Sequence, residues 1–196
     1  TQLQSSAASD VYKRQGGNWL LLIGVLSILF AWCYTGGPYP LAYNALGDIF
    51  VILFFGIIAV SISYFVQTQS VTWLVLFNGI ACGIYVNNLL IINNIRGYKE
   101  DFANNKRTSI VLFGIPFGLK VYISSLLIIF IAAILNYMKE GSLLHFMIII
   151  PLLLSAREMT ALKNAKTKES FSLLLKKTGV YVFLYGIVAS LGFILS

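Results

Sequence analysis

The residue types best suited to chemistry are concentrated in one short polar segment, residues 93–108, which follows a long apolar run. Carboxylate and amide oxygens are hard ligands of the kind that Mg²⁺ prefers, and clustered cations bind phosphate. The segment therefore predicts a surface for a metal-bridged diphosphate, and the alternative is a solvated loop of mixed charge. Its chemically competent residues are Asn93, Asn94, Arg96, Glu100, Asp101, Lys106 and Arg107.

A second unusual segment, residues 34–48, has the sequence YTGGPYPLAYNALGD. Its glycines and prolines predict a rigid, non-helical connection. Tyr34 and Tyr43 offer aromatic faces and hydroxyl groups near a membrane interface, where tyrosines are also common without any catalytic role. Asp48 stands at the start of the next apolar run. There it either stabilises a helix N-terminus or belongs to a functional site.

The composition shows what must position these residues. Of the 196 residues, 58% are hydrophobic and 11% are charged, and the mean hydropathy is +0.83. An average soluble domain has about 25% charged residues, and its surface could not hide so much apolar side chain. This excludes a soluble globular enzyme, a disordered tail and a coiled coil. The predicted fold class is all-α, a polytopic transmembrane helical bundle in the lipid bilayer.

Six apolar segments are candidate membrane helices, because about 20 residues span a bilayer. They are residues 18–34, 45–66, 71–92, 116–137, 142–162 and 178–195. Six spans place the connections 35–44, 93–115 and 163–177 on one side of the membrane. Eleven of the twelve lysines and arginines after residue 15 lie on or near that side, and Lys139 lies on the other.

This charge bias predicts that the three connections are cytoplasmic and that the chain is a multi-pass protein of the cell inner (plasma) membrane. It also accounts for the net charge of +7 without a nucleic-acid partner. Residues 1–15 are polar and aperiodic, and they resemble translated sequencing-adapter sequence. We expect them to be a non-native or disordered leader, with the membrane domain covering residues 16–196.

The run YTGGPYPLAYNALGD, followed by FVILFFGIIAV, SYFVQT and NNIR, resembles the UbiA superfamily of intramembrane prenyltransferases. Within it, the resemblance is to the branch that prenylates 1,4-dihydroxy-2-naphthoate in menaquinone biosynthesis. The family fold has nine transmembrane helices, so the six predicted here correspond to the last six. The resemblance thus implies a C-terminal fragment that lacks the first aspartate-rich motif, and we expect the fragment alone to be inactive.

The resemblance also implies an activity, a cofactor and substrates. The family binds polyprenyl diphosphate through Mg²⁺ held between two aspartate-rich motifs on the cytoplasmic side. Departure of the diphosphate forms an allylic carbocation, which alkylates an electron-rich ring. In the naphthoate branch, the ring carboxylate is lost as carbon dioxide. Cations arranged in advance stabilise the leaving group, and exclusion of water protects the carbocation.

The resemblance extends to individual residues of the second aspartate-rich motif, which reads Asn-Asn-x-Arg-Asp-x-x-x-Asp in this branch. Gly97 stands where that motif has its first aspartate, and Glu100 is a partial substitute for it. The implied catalytic residues are Asp101, Lys106 and Arg96, and the implied metal ligands are Asp101 and Glu100. The implied substrate-binding residues are Asn93, Asn94, Arg107, Tyr34, Tyr43 and Asp48, the last in place of a more usual glutamate.

Two further interpretations remain open on the sequence alone. In a transporter or channel, the polar segments would gate a pore. Such a protein would place ionisable groups at mid-membrane, whereas Asp48, Arg96, Glu100 and Asp101 are all predicted at one interface. In a degenerate, non-catalytic relative, Gly97 would mark the loss of metal binding.

Overall fold

The computed structural model describes residues 21–34, 36–37 and 40–195, so the predicted leader lies outside the described residues. The described residues are predominantly helical and contain no strand beyond a single bridge between Asn44 and Arg107. A short 3₁₀ turn, Leu41–Tyr43, precedes the second helix. The helices are α1 (Leu21–Tyr34), α2 (Gly47–Thr68), α3 (Trp73–Ala103), α4 (Ser109–Phe113), α5 (Ile115–Glu140), α6 (Leu143–Asn164) and α7 (Lys168–Ile194).

Five of these helices, namely α2, α3, α5, α6 and α7, are long and apolar enough to cross a membrane. Over its described residues, α1 is apolar but shorter. Large apolar side chains cover the outside of the bundle, with Trp73 65% exposed, Leu153 66% and Phe183 68%. Such a surface suits lipid rather than water. The predicted all-α, polytopic membrane bundle is confirmed.

Two predicted helix ends were wrong, and both lie where an apolar run gives way to charged residues. Helix α3 does not end at residue 92 but continues through the polar segment to Ala103. Helix α7 begins at Lys168 rather than at residue 178, because Thr167 and Ser170 form a reciprocal N-terminal cap. In both cases the helix extends past its apolar stretch into charged residues, so hydropathy marks only the part that spans the membrane.

Helices α2 and α3 cross at unusually close range because glycines face each other. A Cβ atom on Gly56 would lie 2.3 Å from the carbonyl oxygen of Gly79, and one on Gly83 would lie 2.5 Å from that of Ile52. The α2 backbone is π-helical over Ile52–Ile58, alongside this contact. Small residues at four-residue spacing allow such packing between membrane helices. The crossing fixes the register of α2 on α3.

The interior of the bundle is apolar with a few internally paired amides. Asn78 and Asn136 exchange two side-chain hydrogen bonds of 2.9 Å between α3 and α5. Asn88 donates to the Ser125 hydroxyl at 2.7 Å, also between α3 and α5. Amides in a hydrocarbon environment need such partners. One apolar cluster supports the end of the bundle that carries the polar segments; its buried members are Ile91, Ile92, Ile95, Ile110, Tyr122, Leu162, Phe171 and Leu174.

Candidate functional site

The two polar segments singled out by the sequence meet at one end of the bundle. The backbone amide of Arg107 donates to the carbonyl oxygen of Tyr43 at 3.0 Å, and Asn44 pairs with Arg107 as an isolated bridge. The Lys106 ammonium lies 5.5 Å from the centre of the Tyr43 ring, within the range of a cation–π contact. The connection between α1 and α2 is therefore fastened to the turn after α3.

The turn after α3 folds back over the last turn of that helix. Asn105 adopts a left-handed conformation (φ 54°), and the amide of Lys106 donates to the carbonyl oxygen of Asp101 at 2.9 Å. The Thr108 hydroxyl then caps α4 by accepting from the amide of Val111 at 3.2 Å. This geometry places the Lys106 ammonium 3.1 Å from Oδ1 of Asp101.

A cleft of about 260 Å³, here called the cation-rich cleft, opens beside this ion pair. Within it, Arg96 donates to the side-chain oxygen of Asn93 at 2.6 Å, and Lys168 lies 3.6 Å from Glu100. Three cations thus face two carboxylates, so the cleft has a positive balance that suits a phosphate group. Its lining residues are Asn93, Arg96, Gly97, Glu100, Asp101, Lys106 and Lys168.

Gly97 leaves space beside the carboxylate of Asp101. A Cβ atom at position 97 would lie 3.3 Å from Oδ2 of Asp101, so any side chain there would contact that carboxylate. Among the described residues, no group of three or more His, Cys, Asp or Glu side chains is placed to hold a metal ion. Mg²⁺ is commonly bound by one or two carboxylates together with substrate phosphates. The donor set fits that shared arrangement and does not fit a metal held by protein alone.

A second cavity of about 250 Å³, here called the tyrosine-lined cavity, adjoins the cleft. Asp48 lines it from the first turn of α2, and Oδ1 of Asp48 accepts a hydrogen bond of 2.8 Å from the side-chain amide of Asn87 on α3. A Cβ atom on Gly47 would lie 3.3 Å from the Tyr34 hydroxyl, so any other residue at position 47 would crowd that hydroxyl. The polar lining residues are Tyr34, Tyr43, Asp48, Asn93, Asn94, Lys106, Thr108 and Ser109.

Asn93 and Lys106 line both cavities, so the cavities form two halves of one site. One half is rich in cations, and the other offers hydroxyl groups, amides and one carboxylate. A ligand with an anionic head in the first half can contact a second ligand in the other half. This arrangement suits a group transfer between a phosphate-bearing donor and a polar acceptor.

Most of the predicted site residues converge on these two cavities, with differences in detail. Asn93, Arg96, Asp101 and Lys106 lie together in the cation-rich cleft, and Tyr34, Tyr43, Asp48 and Asn94 line the tyrosine-lined cavity. The Glu100 side chain is 74% exposed and lies against Lys168. Arg107 is exposed and lines neither cavity, and its described contact is made by the backbone.

Four polar residues at the site were not assigned to it from the sequence, namely Asn87, Thr108, Ser109 and Lys168. For Asn87, the sequence offered a packing signal. Gly79, Gly83 and Asn87 follow one another at four-residue spacing, so they lie on the same face of α3, and that spacing of glycines is typical of a close helix contact. Ser109 directly follows the Thr108 cap and had no signal of its own. Lys168 fell in a predicted loop, and only the tertiary fold brings it to Glu100.

Comparison with known proteins gives a consistent assignment. The 1,4-dihydroxy-2-naphthoate octaprenyltransferase of Bacillus subtilis is 35% identical over 96 residues, which are 49% of this chain and 31% of that protein. The protein of the same name from Mycobacterium leprae is 25% identical over 172 residues, 88% of this chain and 58% of that protein. The 2-carboxy-1,4-naphthoquinone phytyltransferase of Synechocystis sp. is 31% identical over 110 residues, 56% of this chain and 36% of that protein.

The matched part of the chain thus spans less than two thirds of each of these relatives. No solved structure matches the chain significantly. The sequence profile of the UbiA prenyltransferase family matches residues 13–194, which include both cavities and all of the described helices. The chain belongs to the UbiA prenyltransferase family.

Proposed function

We propose that this chain carries the site at which a polyprenyl group is transferred from polyprenyl diphosphate to an aromatic acceptor, 1,4-dihydroxy-2-naphthoate, in menaquinone biosynthesis. The observation that carries the proposal is the junction of the two cavities at Asn93 and Lys106. The names of the naphthoate-directed relatives support this acceptor. The apolar bundle around the site suits a long isoprenoid chain. Family membership favours this enzyme over a transporter or channel.

In the proposed reaction, the diphosphate lies in the cation-rich cleft. The bond between the first prenyl carbon and the diphosphate oxygen breaks, and its electron pair leaves with the diphosphate. Arg96 and Lys106 stabilise the negative charge that develops on this leaving group. A carbon of the acceptor ring then forms the new bond to the prenyl carbon. The bond between the ring and its carboxylate breaks, carbon dioxide leaves, and the electron pair of that bond returns to the ring. Lys106 changes partner in this scheme, from Asp101 to a phosphate oxygen.

The proposed cofactor is Mg²⁺, which when bound neutralises diphosphate charge and so favours departure of the leaving group. Asp101 and Glu100 would hold it together with the phosphate oxygens. We propose that the 196-residue chain alone does not turn over substrate, since the resemblance implies a metal shared between two aspartate-rich motifs and the described residues carry one of them. We also propose that the site lies on the cytoplasmic side of the cell inner (plasma) membrane, because eleven of the twelve lysines and arginines after residue 15 lie at or near its end of the bundle.

Binding of inorganic pyrophosphate with Mg²⁺ to the chain in lipid nanodiscs tests the proposal. We expect Lys106→Met to weaken binding about tenfold or more, as for loss of a charge-assisted contact. Lys139→Met is the matched control, because Lys139 lies in the last turn of α5 and lines neither cavity. Equal pyrophosphate affinity in the chain with Lys106 and in Lys106→Met would contradict the proposal.

A further inference from the structure

We propose that Asp48, positioned by Asn87, recognises a ring hydroxyl group of the aromatic acceptor in the tyrosine-lined cavity. This inference rests on the proposed function and adds to it the residue that selects a hydroxylated ring. Asp48 contacts the acceptor in this scheme, whereas Asn87 acts through Asp48 and is a positioning residue.

The carboxylate of Asp48 is held at one oxygen and available at the other. Its Oδ1 accepts from the Asn87 amide at 2.8 Å, and Asn87 is fully buried against α2. No other described hydrogen bond engages the Asp48 side chain, which lines the cavity. An ionised carboxylate with a vacant oxygen accepts a strong hydrogen bond from a hydroxyl group.

An independent observation in the same cavity points to a polar ligand. Ser109 is 4% exposed, and its buried hydroxyl has no hydrogen-bond partner among the described residues. Ser109 lines the cavity on the side of α4, whereas Asp48 lines it from α2. A buried hydroxyl without a partner is costly, and rotation of the Ser109 side chain towards the cavity would let a polar group on a ligand satisfy it.

The neighbouring charges define the class of ligand. Lys106 stands at the junction with the cation-rich cleft, and its three N–H donors allow it to contact an anionic substituent of the acceptor as well as a phosphate oxygen. Tyr34 adds an aromatic ring and a hydroxyl group to the cavity wall. A hydroxylated aromatic carboxylate matches this set when its hydroxyl faces Asp48 and its carboxylate faces Lys106. In the opposite orientation, the carboxylate of the ligand would face the carboxylate of Asp48, and the two negative charges would repel each other.

Two naphthoate probes that differ at a single oxygen test this role. We compare binding of 1,4-dihydroxy-2-naphthoate and its 4-methoxy ether to the full 196-residue chain in nanodiscs, without oxygen, by naphthoate fluorescence. A site built to bond a hydroxyl group rejects the analogue that lacks it, so we expect a preference of about tenfold or more for the hydroxyl compound. Asp48→Ala is expected to abolish this preference, and Asp48→Glu to retain part of it.

Asn87→Ala is expected to reduce the preference although Asp48 is present, because the carboxylate is no longer held. Glu169→Ala is the matched control, since it removes an exposed carboxylate of α7 that lines neither cavity, and it should keep the preference. An unchanged preference in Asp48→Ala, or no preference in the chain with Asp48, would overturn the inference.

Pyrophosphate binding to the same samples separates this inference from the proposed function. Normal pyrophosphate affinity in Asp48→Ala shows that the variant is folded and that the cleft is intact. If pyrophosphate binds normally and the hydroxyl preference is absent, the inference on Asp48 fails while the proposed function stands. If pyrophosphate does not bind to the unsubstituted chain, the proposed function fails, and the inference that rests on it fails with it.

Discussion

The Nζ atom of Lys106 lies 3.1 Å from Oδ1 of Asp101 across the turn that ends α3, and the side chains of Lys106 and Asp101 are 23% and 16% exposed. Each is a candidate ligand for one component of a magnesium diphosphate: the ammonium for phosphate and the carboxylate for the metal. The two opposite charges pair with each other. In the proposed function, a phosphate oxygen and the metal would take over as their partners, so that neither charge would be left unpaired.

Gly97→Asp should strengthen divalent-ion binding in the cation-rich cleft. The new side chain starts 3.3 Å from Oδ2 of Asp101, so two carboxylates would share the space. Their repulsion should lower the melting temperature without metal, and Mn²⁺ should restore it. Electron paramagnetic resonance of bound Mn²⁺ measures the affinity directly. Gly97→Asn has similar size without the charge, and an equal gain in Mn²⁺ affinity there would contradict the explanation.

Gly83→Ala should destabilise the bundle through the crossing of α2 and α3. The added methyl would lie 2.5 Å from the carbonyl oxygen of Ile52, which is backbone and cannot rotate away. Overpacking of this kind costs about 1–3 kcal/mol, and thermal unfolding in detergent would report it. Gly179→Ala is the control, because nothing lies within 4 Å of a Cβ atom there. Similar melting temperatures for both variants would argue against a tight crossing.

Thr108→Val should weaken pyrophosphate binding although Thr108 lines only the adjoining cavity. Loss of the cap on α4 costs about 1 kcal/mol and loosens the turn that carries Lys106. Thr72→Val removes the equivalent cap from the start of α3, where Thr72 accepts from the amide of Val75. That variant should lose stability with unchanged pyrophosphate affinity. If both variants bind pyrophosphate equally well, the cap does not position Lys106.

The amide pair between α3 and α5 should show strong coupling. Asn78→Leu or Asn136→Leu alone leaves one amide without its partner, and we expect a loss of about 1–3 kcal/mol in unfolding free energy. The double variant removes both polar groups and should lose less than the sum of the single variants. A double-mutant cycle of unfolding in detergent gives the coupling energy. Strict additivity would show that the two hydrogen bonds are not a unit.

Raising the salt concentration should weaken pyrophosphate binding to the cation-rich cleft. Arg96 and Lys168 are solvent-exposed, and screening lengths fall from about 10 Å at 0.1 M to about 3 Å at 1 M salt. Titrations at several concentrations of potassium chloride should give a steady loss of affinity. The hydroxyl preference at Asp48 depends on a single hydrogen bond in a cavity and should change little over the same range.

The sequence was sufficient to predict the membrane bundle, and most of the candidate site residues it singled out lie together in the two cavities. Hydropathy located the spans because only apolar residues are stable in lipid, and the polar segments stood out against them. It could not predict that α3 continues to Ala103, because helical geometry persists where apolar patterning stops. The hydrogen bond between Asp48 and Asn87 depends on where α2 crosses α3. That crossing is set by Gly56, Gly79 and Gly83, so it could not be predicted from Asp48 or Asn87 themselves.

The glycine contact between α2 and α3 also affects how the candidate site responds to the thickness of the bilayer. Because backbone touches backbone there, α2 cannot slide along α3 without a clash, and Asp48 keeps its height opposite Asn87. Helices held by long side chains can tilt or shift when the lipid becomes thicker or thinner. In this chain, the height of Asp48 relative to Asn87 and Lys106 is set by contacts within the protein, so a change of lipid chain length should leave these residues in register.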